Sequence, residues 1–340
     1  MQKLLFIFSV LLMLVGCSEQ PTDIHKEYRS RLAKFLEIEE SYDVTLSPLD
    51  NFATIPIESN ITIGLIELGQ LNHCRLSAHI AAHNNQLGKV ALPSERFKYH
   101  IRFIQLVDAC IEHPQTKQLN QSLIDTLTLA KQNKIAHAHV AFNNMMAGEA
   151  EFKRMTQLST KELNIDEYAG KTQSLEALRA FANIADDIAK KRWHNIDVTV
   201  ITPSLESLSN NDYIRKLITS ARVQIALNRH LTQQLNTVNI IQTVCPPKRS
   251  TDTATILHNI FNMFYINQLQ GYQAQLSGAL QDLNPELKRV WQFLNENDGP
   301  KSEVIGVGKE AQLLSNLKTA SKQHVIWWQN FYKQCAISPV

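Results

Sequence analysis

Glycine and proline are scarce in this chain, at 11 each among 340 residues. That scarcity excludes a chain broken by frequent turns and leaves long helices joined by short breaks. Net charge is equally small, with 34 Lys and Arg against 32 Asp and Glu, so nothing in the electrostatics argues for a nucleic-acid partner. The apolar run from Leu4 to Val15 is too short to cross a bilayer. Familiar catalytic signatures are missing as well. There is no G-x-S-x-G elbow, P-loop, G-x-G-x-x-G turn, H-E-x-x-H motif or helix-borne E-x-x-H pair. Ser315-Asn316-Leu317-Lys318 has S-x-x-K spacing without a companion K-T-G and reads as coincidence, and Asp186-Asp187 meets Lys190 where a diphosphate-binding motif needs a third acid and reads as a solvated face.

What is present begins at the N-terminus. Lys3, the apolar run and then Gly16-Cys17 form a secretory signal with a small-residue processing site. Leu14-Val15-Gly16-Cys17 resembles the lipobox of bacterial lipoproteins. The resemblance implies removal of residues 1–16, acylation of Cys17 and attachment to membrane lipid. Ser18 stands where lipoprotein sorting is read, and in place of Asp it implies the outer membrane, facing the periplasm. Residues 17–24 read as a lipidated polar tether and 25–340 as one helical domain, divisible into sub-bundles 25–205 and 206–340.

Apolar residues recur at helical spacing over 25–40, 60–84, 93–113, 116–147, 171–193, 211–245, 253–283, 285–295 and a final stretch ending at Cys335. Ser94 is a candidate N-cap. Two prolines, Pro48 and Pro56, make 42–57 an extended connector, and β-branched alternation over 196–202 suggests a short strand or extended loop that could pair with 43–46. The final helix lines up Leu314, Leu317, Ser321, His324, Trp328, Phe331 and Cys335 on one seam.

Five cysteines are an odd number for an exported protein, but lipidation of Cys17 leaves four, with three pairings. Cys74 and Cys110 flank a turn whose centre is their midpoint, so an antiparallel helix pair sets them face to face. In an up-down-up arrangement of the last three main helices, the first and third run parallel and bring Cys245 to Cys335. The expected fold is therefore an all-α, multi-helix up-down bundle with short extended connectors, braced by two disulfides.

Cys74-Arg75-Leu76, Asn84-Asn85-Gln86-Leu87-Gly88-Lys89-Val90, Pro93-Ser94, Cys110, Cys245-Pro246-Pro247 and Phe264-Tyr265-Ile266 together resemble an uncharacterised Gram-negative lipoprotein family, domain of unknown function 3080. The likeness covers about 25–335. It implies a helical envelope lipoprotein and transfers no catalytic residue.

Candidate chemistry is sparse. His79 and His83, one turn apart, are a weak metal pair lacking a third ligand, and His137 with His139 is weaker because a two-residue step turns the rings apart. Trp327, beside the seam residue Trp328, is a candidate binding platform, although aromatic-rich helices usually bury that area. The loops 88–94, with Gly88 and Lys89, and 298–308 are the expected contact surfaces. No catalytic residue, metal or cofactor is expected. The sequence points to a non-enzymatic protein that binds or scaffolds an envelope protein or peptidoglycan. Its rivals are an envelope hydrolase acting on peptidoglycan or lipid, and a carrier of lipid or another hydrophobic ligand.

Overall fold

The helical spacing is realised as thirteen α-helices, with no strand among the described residues, in a computed structural model that describes residues 20–85, 90–246, 252–308 and 311–338. Helix α1 is Pro21–Ala33, and a long extended connector then leads to α2, Leu65–Gln70, and α3, Arg75–Asn84. The antiparallel pair α4, Pro93–Ile111, and α5, Gln121–Gly148, follows. Next come α6, Ala150–Thr156, α7, Lys171–Ala189, and α8, Ile201–Ser209. The last part holds α9, Tyr213–Leu235, the short α10, Ile240–Thr243, α11, Asp252–Ile260, α12, Gln270–Val290, and α13, Gln312–Cys335. A π-helical stretch, Phe261–Leu269, joins α11 to α12 without a break.

Helix α1 starts before His25. Pro21 occupies the first helical position, where its missing N–H costs nothing, and both Pro21 and Ile24 are buried. Gln20 donates through Nε2 to Asn164 Oδ1 at 3.1 Å, and the Thr22 amide donates to Glu162 Oε1 at 3.1 Å. Residues 21–24 thus belong to the folded body, and the expected tether is shorter by that much.

The long helices α9 and α13 run parallel: Arg229 meets Asn316, Thr232 meets His324 and Leu235 meets Trp327, in increasing order along both. The chain from Tyr265 to Val290 runs the other way, from the core around Trp328 into the core around Leu280. This is the expected up-down-up order. Disulfide Cys245–Cys335, with Cα atoms 5.3 Å apart, closes its common end, and Cys74–Cys110, at 5.4 Å, staples the antiparallel α3–α4 pair. The main core takes Phe97, Phe142, Leu217 and Leu280 from both sides of position 205, so that boundary does not separate two cores.

Several sequence expectations are corrected. The 60–84 helix is broken at 71–74, where Ser77 Oγ reaches back to the Leu68 carbonyl at 3.0 Å. The 211–245 helix stops at Leu235, whose carbonyl accepts the Trp327 indole N–H at 2.8 Å, and Asn239 caps the short helix after it. Pro285 lies inside α12 rather than opening a separate helix. The carbonyl it leaves unpaired belongs to exposed Gln281, on the face where water can serve it. Residues 196–202 form no strand, because Asp197 accepts from the Thr199 amide and hydroxyl and folds the stretch into a tight turn that runs into α8. Ser94 is not the cap of α4. It lies within the first turn, and its amide donates to the buried Glu149 carboxylate at 2.6 Å.

The second core encloses a polar network. Trp328 donates its indole N–H to Tyr28 Oη at 2.9 Å and to His324 Nε2 at 3.3 Å. An indole N–H only donates, so His324 Nε2 carries the lone pair and Nδ1–H donates to Thr232 Oγ1 at 3.1 Å. Tyr28 Oη in turn donates to His324 Nε2 at 2.9 Å. Burial drives the His324 pKa down to about 3 and that of His25 to about 4, so both rings are neutral at pH 7.

Candidate functional site

The extended connector crosses the α4–α5 pair and leaves a cleft of about 560 Å³ between them. Its position is fixed by three local contacts. Asn144 on α5 grips the connector by its backbone, accepting from the Ile55 amide and donating to the Ile55 carbonyl, each at 2.7 Å. Gly148 at the end of α5 lies so close to the Pro93 ring that a Cβ there would sit 2.9 Å from Pro93 Cβ. Glu149 holds the first turn of α4, as its acceptor and as a negative charge at the positive helix end.

One wall of the cleft is apolar, with Ile55, Pro56, Phe97 and Met145, and Phe97 packs edge-on against Phe142 at 5.5 Å. The opposite character comes from Arg96, His83, His100 and Lys134, and among the described residues no carboxylate lines the cleft. Lys134 Nζ rests over the rings of Tyr99 and Phe103, at 4.7 and 5.1 Å from their centroids. A second cleft of about 500 Å³ shares His83 and Tyr99 and adds His79, Lys98 and Arg102. Its one acid among the described residues, Glu95, is paired with Lys98 at 2.6 Å.

Burial and neighbouring charge push the titratable groups here in one direction, away from the charged form. Burial lowers Lys134 to about 8. His100 falls to about 3, first through burial and then through the Lys134 charge, while its Nε2–H donates to the Lys134 carbonyl at 2.6 Å. His83 is lowered by burial and then by Lys134, His79 and Arg96. His79 is lowered by burial, against the backbone bond to Tyr99, with Arg102 and Lys134 adding to the shift. The imidazoles are neutral at pH 7, and the fixed positive charge is that of Arg96, Arg102 and Lys134.

His79 and His83 come together on Tyr99. His79 donates to the Tyr99 carbonyl at 3.1 Å and stacks on its ring at 4.7 Å, and His83 stacks on the same ring at 3.6 Å. No group of three or more His, Cys, Asp or Glu placed to hold a metal occurs among the described residues. Trp327 is 5% exposed, with its N–H bound to Leu235, so it is a core residue and not a platform. Asp186 and Asp187 are ion-paired with Arg289 and Arg192. Cys17, Ser18, Gly88 and Lys89 lie outside the described residues.

Lys134, Tyr99, His100 and Asn144 were invisible to motif reading, because the site is assembled across four elements, the connector, α3, α4 and α5. The one sequence signal is the 96, 99, 100, 103 spacing, which sets Arg96, Tyr99, His100 and Phe103 along one side of α4.

No curated protein and no solved structure matches the chain. The family model described as protein of unknown function (DUF3080) matches residues 25–339, and the chain belongs to that family.

Proposed function

Taking membership in a family without an assigned activity as the premise, we propose that this protein is an acylated, outer-membrane-anchored periplasmic lipoprotein that binds another envelope component. The contact is made through the α4–α5 cleft. The N-terminal sequence through Cys17 and Ser18 supports the anchor and its address. The observation that carries the binding reading is the lining of the cleft, which joins apolar and cationic side chains and, among the described residues, holds no carboxylate, serine or cysteine. Such a lining can hold a ligand but offers neither an acid–base carboxylate pair nor a Ser or Cys nucleophile beside its histidines.

Photo-crosslinking in cells tests this reading. A photoreactive residue at Ile55, which is 48% exposed at the cleft, is expected to give one recurrent adduct by mass spectrometry. The same probe at exposed Lys322 on α13 is expected to give none. Equal, scattered labelling from both positions would reject the cleft as the binding site. Separately, labelled palmitate is expected in the intact protein and absent from Cys17→Ala.

A further inference from the structure

Lys134 poses an electrostatic problem that no described carboxylate solves. Its amine is withdrawn onto two aromatic rings, and among the described residues it meets no carboxylate within ion-pair distance. The cations that share its surroundings have its own sign, and its charge opposes protonation of the neighbouring histidines. Arg96 stands beside it along the cleft, Arg102 acts with it on His79, and His79, His83 and His100 each register Lys134 as a like charge. A partly desolvated cation without a counter-ion is costly, and an anion entering the cleft would remove that cost. Beyond the cations, the lining turns apolar along Ile55 to Ile57, Phe97 and Met145. A bare anion would leave that wall uncovered, and a neutral hydrocarbon would leave Lys134 unanswered. The volume of about 560 Å³ is that of a small-molecule site rather than a macromolecular footprint.

We propose that the cleft takes a small amphipathic anion, with a carboxylate or phosphate head against Lys134 and Arg96 and an apolar body along Ile55–Ile57, Phe97 and Met145. This assignment rests on the cleft being the binding site and specifies what it binds. The head can belong to a free single-chain amphiphile or to a membrane phospholipid, which share the chemistry.

The test is calorimetric titration of octyl phosphate into the full-length protein reconstituted in phosphatidylcholine nanodiscs. Binding is expected, at least tenfold weaker in Lys134→Gln, within about threefold of the parent in Lys134→Arg, and unchanged in Lys322→Gln. Arg96→Gln, at an exposed position, is expected to weaken it severalfold and guards against a folding defect at Lys134. 1-Octanol and inorganic phosphate are expected not to bind. Repeating the titration with phosphatidylglycerol in the nanodisc separates the two sources of the head. A severalfold loss of apparent affinity assigns a lipid headgroup already seated in the cleft, and no change assigns a free amphiphile. Equal binding of octanol, or of inorganic phosphate alone, would overturn the amphipathic assignment. So would absence of binding while Ile55 still crosslinks, an outcome that leaves the cleft as the binding site. Loss of the Ile55 adduct removes the underlying reading instead.

Discussion

Lys134 is the residue on which the chemistry of the cleft turns, and its titration can be read directly. Burial holds its pKa at about 8, well below the usual 10.5 for lysine. NMR of the reductively methylated protein is expected to show one lysine titrating near 8, missing from Lys134→Gln, and an anion in the cleft should move it upward. The groups facing it are His79 and His83 on α3, and Arg96, Tyr99, His100 and Phe103 on α4. The buried histidines make a second prediction. His25 at about 4, and His100 and His324 at about 3, all lie below the ordinary value of 6.5. Between those values and 6.5 the unfolded chain binds more protons than the folded one, so stability falls as pH drops through 6.5 toward 4. Each histidine contributes up to about 1.4 kcal/mol per pH unit. Denaturant midpoints at pH 7.5 and 4.5 should differ, and His324→Gln should narrow the difference. His324 was legible in the sequence as a member of the α13 seam. Its partners Tyr28 and Thr232 were not, because hydrogen bonds across 296 and 92 residues leave no spacing to read.

Among the elements, the connector and the α5–α6 corner decide whether the cleft exists. Asn144→Ala removes both hydrogen bonds to Ile55, each worth about 1 kcal/mol. Hydrogen exchange over 52–58 should quicken while α5 stays protected, and equal quickening in α5 would show that Asn144 supports the helix instead. Gly148→Ala forces a Cβ against Pro93 and is expected to cost about 1–3 kcal/mol in denaturant unfolding. Helix spacing located most of these elements, and it failed where side chains from elsewhere intervene. Asp197 turned a β-branched stretch into a tight turn, Trp327 supplied the acceptor's partner at the end of α9, and Pro285 survived because the bond it forfeits faces solvent. The π-helical turns have no sequence signature. They set Phe261 and Tyr265 against Trp328 and His324, with centroids 4.4 and 4.5 Å apart.

For the whole molecule, cysteine arithmetic carried further than periodicity. Subtracting Cys17 and assuming one turn and one parallel helix pair was enough to fix both disulfides, since antiparallel and parallel pairs bring different positions together. Peptide mapping without reduction should recover Cys74 with Cys110 and Cys245 with Cys335. A Cys74–Cys245 peptide would contradict the topology. Reduction should cost about 4 kcal/mol for each loop in the chain-entropy model, measurable as a shift in the denaturant midpoint.

The stitching of α1 also has a mechanical reading. Tension arriving along the chain before Gln20 meets two attachments at once. Gln20 and Thr22 hand it to Asn164 and Glu162, while Tyr28, deep in the second core, resists behind them. Load is therefore divided between the largely buried 162–164 segment and a helix keyed to Trp328, instead of peeling α1 from its end one turn at a time. A body built this way can be pulled by its N-terminus without the strain reaching the α4–α5 cleft first.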